Sequence, residues 1–244
     1  MNHTFIIAKR VLSQLKNDKR FLALSVIAPL IIIYFLKLLL DTFPSYVNVK
    51  NYTIPFSAFI VHFLSFILCA ILLIQERTRG TLERMMIGGF SKTSIIGGYT
   101  LGYFSLATLQ AIVVLIESIW LFKLNYDTKT ILMLFMVIWL LAIVSVMLGI
   151  FISTFAKHEG HIFPFIPLIM LPSIFLTGLI QEKGLPIWAE IIGKCLPLHY
   201  AINIIREIIK PKYNITDTCI DFGILLGYVF VLLALASFTL KDYE

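Results

Sequence analysis

The chain has 244 residues, 59% of them hydrophobic and only 14% charged, with a formal net charge of +6. A soluble domain of this size carries about a quarter charged residues, and a mean hydropathy of +0.92 excludes a soluble globular fold. The basic excess belongs to membrane edges, where Lys and Arg meet anionic lipid, and not to nucleic acid, for which no binding module is recognisable.

The apolar residues fall into runs that match the roughly 20 residues needed to span a bilayer. Charges sit in the gaps, because one at the bilayer centre costs about 2.5–3.5 kcal/mol. Residues 1–20 come first, as a basic amphipathic arm. Phe5, Ala8, Leu12 and Leu15 share one helical face, and Lys9, Ser13, Lys16 and Arg20 share another, the pattern of a helix lying in the interface plane. The first span is expected over Phe21–Leu40, an uncleaved anchor with Lys37 snorkelling at its outer end. A polar stretch, Asp41–Thr53, precedes the second span, Ile54–Ile74. After the charged segment 76–92 come the third span, Ser94–Phe122, and the fourth, Thr130–Phe155. The fifth, Ile162–Ile180, carries Pro164, Pro167 and Pro172 and is expected to be bent or interrupted. The outer loop 181–220 holds two short apolar helices, Leu185–Leu196 and Ala201–Ile209, which dip into the outer leaflet or pack over the span ends. The sixth span is expected over Phe222–Leu240. The expected fold is thus a single all-α integral membrane domain, 1–244, with six transmembrane helices, an interfacial N-terminal helix, and re-entrant or interfacial helices between spans five and six.

Lys and Arg set the orientation. With the N-terminus inside, the inner segments hold 11 basic residues and the outer segments 8. Five of the inner residues flank the first span, against one acidic residue. The first helix usually dominates, so both termini are expected in the cytoplasm and the chain in the cell membrane. Cys69 lies in an apolar run, while Cys195 and Cys219 share the last outer loop without a framework spacing.

The segment Glu76-Arg77-Thr78-Arg79-Gly80-Thr81-Leu82-Glu83-Arg84-Met85-Met86, followed by Gly88-Gly89-Phe90-Ser91-Lys92, interrupts two spans with a short charged helix. It resembles the cytoplasmic loop of type-2 ABC exporter permeases: an acidic/basic pair, then Gly-Thr-Leu-Glu with a basic and two apolar residues. Gly88-Gly89 stands where that family usually has Pro. Leu176-Thr177-Gly178, Leu185-Pro186-Ile187-Trp188, Leu196-Pro197-Leu198-His199-Tyr200-Ala201 and Arg206 are similar, in order and spacing, to the family's fifth span and outer re-entrant region.

The resemblance implies a subunit of an ATP-driven exporter. Two separate ATPase subunits, binding ATP and Mg, would dock on the cytoplasmic face, and a second permease, identical or homologous, would complete the pathway. Glu76, Arg77, Gly80, Thr81, Leu82, Glu83, Arg84, Met85 and Met86 would form the coupling helix and its entry. This chain would itself be no enzyme: Gly88–Ser94 has Ser91 where a phosphate-binding loop needs Gly, and Ser91 reads as a helix N-cap. The absence of a charged pathway points to an amphipathic or apolar cargo such as a lipid, peptide or drug.

Phe56, Phe59, Phe63 and Phe66 form an aromatic stripe on the second span, open to two readings, bundle packing or pathway lining. Glu117 is an intramembrane carboxylate, either functional, or hydrated near the surface, or paired with Lys37. His62 is expected to hydrogen-bond between helices, and Gly98-x-x-x-Gly102 is a close-packing motif. Two other function classes compete. A self-contained secondary transporter would show inverted repeats and paired intramembrane charges; an embedded enzyme would gather catalytic groups at one depth, whereas His62, His158 and His199 fall at different depths.

Overall fold

The computed structural model describes residues 3–42, 50–180, 184–210 and 215–239, and these are helical with no strand. In order they are α1 (His3–Asn17), α2 (Lys19–Asp41), α3 (Lys50–Thr78), α4 (Thr81–Ile87), α5 (Lys92–Leu121), α6 (Thr128–Ser153), a 3-10 turn (Glu159–Ile162), α7 (Phe165–Phe175), α8 (Ile187–Lys194), α9 (Pro197–Ile209) and α10 (Ile215–Thr239). Five of these, α2, α3, α5, α6 and α10, are long and apolar enough to cross a membrane.

Composition sets which helices lie inside. The apolar windows of α3 and α6 are 72% and 61% buried, against 22% and 17% for α2 and α10. α6 is apolar all round, the pattern of a helix with neighbours on every side. It packs against α3, α5, α9 and α10. α2 and α10 turn Leu24, Ile31, Phe35, Phe230 and Val231 outward, the surface expected toward lipid tails.

Each break in the helices has a local cause. Asp18 ends α1 and starts α2, its Oδ1 accepting the Phe21 N–H at 3.0 Å. Ser91 caps α5 as the sequence predicts, its hydroxyl accepting the Ser94 N–H. Pro29 lies inside α2 and removes the N–H that would bond the Ser25 carbonyl. Gln110 of α5 supplies the missing donor, its Nε2 lying 3.3 Å from Ser25 O.

The expected fifth span, Ile162–Ile180, is not one helix. It divides into the end of the 3-10 turn, the 11-residue α7 and a closing turn. At 1.5 Å per residue α7 covers roughly half the hydrocarbon thickness. Carbonyls of the turn that follows it are met from α9: His199 Nδ1 is 3.2 Å from Thr177 O, and Arg206 Nη2 is 2.7 Å from Gly178 O. Both short helices expected in the outer loop are present, with α9 starting at Pro197 because proline favours the first turn. α9 buries Leu198, Ala201, Ile202 and Ile205 over the span ends, whereas α8 leaves Ile187, Trp188 and Ile191 exposed. All three thiols are free, Cys69 buried and Cys195 and Cys219 exposed. Seven residues of the polar stretch Asp41–Thr53, residues 43–49, lie outside the described set.

The arm departs from expectation. Its buried face is Ile7, Ala8, Val11 and Leu15, while Phe5 is 70% exposed and Leu12 also faces outward. The reason is α5. Gly98 and Gly102 open a groove into which Ile7 and Val11 drop, so closely that a Cβ on Gly98 would stand 2.5 Å from the Ile7 Cβ. The small-x-x-x-small motif therefore serves contact within the chain, between arm and third span. Gly98→Ala is expected to lower the thermal midpoint in detergent by overpacking, a cost of about 1–3 kcal/mol, and Ile7→Ala in the same chain to recover part of it. Unchanged unfolding in Gly98→Ala would show that α1 does not dock there.

Candidate functional site

The site begins where α3 leaves the bilayer. Its 29 residues extend roughly 43 Å, beyond the roughly 30 Å of hydrocarbon, so the last turn projects past the apolar layer. Gly80, at φ +65°, then reverses the chain, and α4 begins one residue later. A left-handed backbone there is open to glycine and strained for most other residues.

Glu76 is the centre of the site. The residue is 8% exposed and its carboxylate receives three side-chain donors. Arg10 Nη2 donates to Oε2 at 2.8 Å, Tyr99 OH donates to the same oxygen at 2.9 Å, and Gln14 Nε2 donates to Oε1 at 2.9 Å. These donors come from α1 and α5, so one carboxylate ties three helices together. Arg10 also reaches α4, with Nη1 3.2 Å from Met85 Sδ. Charge-assisted bonds of this kind are the strong ones, and a carboxylate this buried has little surface left for another protein.

Its neighbours divide into braces and surface. Arg77 Nη1 donates to the Ser153 and Ala156 carbonyls at 3.0 and 3.3 Å, capping the end of α6, where a cation also suits the helix dipole. Arg84 folds back on the Gly80 and Arg79 carbonyls and holds the turn. Thr81, Met85 and Met86 are half-buried. The side chains of Leu82 and Glu83 lie outside the described ones. Ile87, at the end of α4, is 87% exposed. The motif ended at Met86, and Ile87 carries no sequence signal beyond being apolar in a charged segment.

The structure separates the other predicted residues. Phe66 is wholly buried among Ala70, Ile152, Ile162 and Met170, and Phe59 and Phe63 stack at 6.2 Å beside α7. Phe56 packs on the main core instead. In this arrangement only Phe56, Phe59 and Phe63 keep exposed surface. His62 bonds between helices as expected, with Nδ1 2.7 Å from Ser145 Oγ. The Ser145 hydroxyl donates to Leu141 O, so it accepts from His62 Nδ1–H. Glu117 does not pair with Lys37. Lys37 binds Asp41 one turn along its own helix at 2.7 Å, and Glu117 Oε2 is buried with no hydrogen-bond partner among the described residues. His158 and His161 face each other on the exposed 3-10 turn, ring centroids 3.7 Å apart. Gln110, which no motif marked, joins three spans: its Oε1 accepts the Ser65 hydroxyl at 2.7 Å while its Nε2 serves Ser25.

A bundle of long apolar helices with a short exposed helix between α3 and α5 is an arrangement that comparison with known proteins places. The profile of the ABC-2 type transporter matches residues 2–210, from α1 to the end of α9. The chain belongs to the ABC-2 type transporter family. It is a multi-pass membrane protein, and several of its relatives are named as permeases. It is 24% identical over 163 residues to the linearmycin resistance permease protein LnrN of Bacillus subtilis, covering 66% of this chain and 42% of that one. It is 26% identical over 136 residues to the probable multidrug ABC transporter permease YbhR of Escherichia coli, 55% of this chain and 36% of that one. Against the putative transport permease ycf38 of Porphyra purpurea the identity is 27% over 167 residues, 66% and 57% of the two chains. This ABC-2 chain spans less than two thirds of the length of each of these relatives.

The Glu76 cluster is directly measurable. Glu76→Ala strands three donors in a buried place and is expected to cost roughly 1–3 kcal/mol of stability in detergent. Combined with Arg10→Ala, the two costs should fall short of additivity by about 1 kcal/mol or more, because both remove the same bond. Strictly additive costs in that double-mutant cycle would show the pair to be a surface contact.

Proposed function

We propose that this ABC-2 chain is the membrane-spanning subunit of an ATP-driven exporter, with α4 as the helix that receives force from separate ATPase subunits. The observation that carries this reading is the asymmetry of α4. One end presents Ile87 fully to solvent, while the body is bound through Met85 and Arg10 to Glu76, and so to α1, α3 and α5. A docked partner that displaces α4 would move three helices as one lever and bias two arrangements of the bundle. Two ATPases, binding ATP and Mg, and a second permease, identical or homologous, would complete the assembly on a two-fold axis.

In this proposal both termini, α1 and α4 face the cytoplasm and the chain sits in the cell membrane. The 3-10 turn, α7 and the turn before α8 together make a sixth, interrupted crossing. α3 and α7, which meet along Phe59, Phe63 and Phe66, line the path. Relatives named for linearmycin resistance and multidrug transport support an amphipathic or apolar cargo, whose class matches the largely apolar interior.

Two experiments test this. Ile87→Glu and Arg84→Glu, in the complete complex, are expected to lower transport-coupled ATP hydrolysis roughly tenfold or more, as for a residue central to an interface, with membrane insertion intact. Full coupled activity in both variants would refute the role of α4. For orientation, a cysteine at Thr78, on a background lacking Cys69, Cys195 and Cys219, should react with an impermeant thiol reagent only after the cells are opened. Labelling in intact cells would reverse the topology.

A further inference from the structure

A cleft of about 490 Å³ lies between α1, the start of α2 and the lower part of α3. Its walls divide by chemistry. Val11, Leu15, Phe21 and Leu72 form an apolar floor. Ser13, Asn17, Gln75 and Arg79 line the polar side. Of the remaining polar groups, Arg10, Gln14 and Glu76 are engaged with one another, and Asp18 caps α2. The side chains of Ser13, Asn17, Gln75 and Arg79, by contrast, have no hydrogen bond or ion pair among the described residues.

Depth and charge narrow the occupant. Phe21 opens the first spanning helix and Gln75–Arg79 closes α3, which sets the cleft at the level where headgroups meet hydrocarbon. The acidic groups lining it are already bound, so its free charge is the Arg79 guanidinium, with Lys9, Lys16 and Lys19 exposed on the adjoining helices. A cation and amide donors above an apolar floor match an acidic headgroup above an acyl chain.

We propose that this cleft is a site for one anionic phospholipid of the leaflet at the α1 end, with its phosphate at Arg79, Gln75 and Asn17 and an acyl chain over Leu15, Phe21 and Leu72. The bound lipid joins the α1–α2 corner to α3 next to the Arg10–Glu76 pair and braces the arm on the bundle. The site does not depend on the transport reading.

The test uses the full chain, purified in mild detergent, depleted of lipid, then offered phosphatidylglycerol or phosphatidylcholine, with bound lipid counted by native mass spectrometry. Phosphatidylglycerol should be retained in preference to phosphatidylcholine. Arg79→Gln should weaken that retention roughly fivefold, the effect of one basic residue at an anionic surface. Ser13→Trp, which fills the mouth without altering charge, should abolish it, and Lys129→Gln, at the far end of the bundle, should leave it unchanged. Equal retention of the two lipids, or full retention by both cleft variants, overturns the proposal. Displacement by inorganic phosphate as readily as by phosphatidylglycerol also overturns it, since the occupant would then be a free anion. Thermal midpoints equal to the parent's separate loss of the site from loss of the fold; if Ser13→Trp does not fold, Arg79→Gln decides.

Discussion

Inside a bilayer every backbone polar group must find a partner within the protein, and the architecture of this chain follows from how that demand is met at its irregular points. Where the helices run unbroken the ladder supplies it. At several points where the ladder is open, a side chain from another helix closes it: Gln110 at Ser25, His199 and Arg206 in the turn after α7, Arg77 at the end of α6. Gln110, buried between three apolar helices, would be costly there without its task. The irregular points thus become the points of contact between helices, and the packing order of the bundle is written in them.

The same logic ties α4 to the helices around it. The segment after α3 is short, turns at Gly80, and meets the bundle through Met85 and Met86, which pack on the core, and through the Arg10 guanidinium beside the Met85 sulfur. Glu76 gathers donors from α1 and α5, and Arg10 extends that cluster to Met85. The close seating of α1 on Gly98 and Gly102 adds stiffness, because van der Waals packing is the main attraction left between helices when lipid tails are as apolar as the side chains.

The opposite end of the bundle is built differently. α9 closes the bundle with an apolar face over α6 and α3, while α8 offers Ile187, Trp188 and Ile191 to the surroundings. Tryptophan and isoleucine at such a level suit the membrane interface. One end of the bundle is therefore tied by the Glu76 cluster, and the other combines apolar cover with side-chain bonds to backbone carbonyls from His199, Arg206, Tyr200 and Tyr228.

The sequence by itself determined the all-helical apolar architecture, the interruption of the fifth apolar run, the cap at Ser91, the short helix after Gly80 and the family, because each rests on a local pattern: run length against bilayer thickness, proline spacing, or a contiguous motif; of the six spans expected, five are helices long enough to cross. Only the tertiary structure decided how the predicted residues are used. Glu76 and Arg10, 66 residues apart, meet inside the protein, a contact that the motif, which places Glu76 at the entry to the coupling helix, does not carry. The arm turned a different face inward because the glycines that receive it lie on α5. Lys37 found Asp41 one turn away on its own helix, leaving Glu117 without it. Periodicity says which residues share a face; it carries nothing about which distant face arrives opposite, and hydrogen bonds between helices are settled by that arrival.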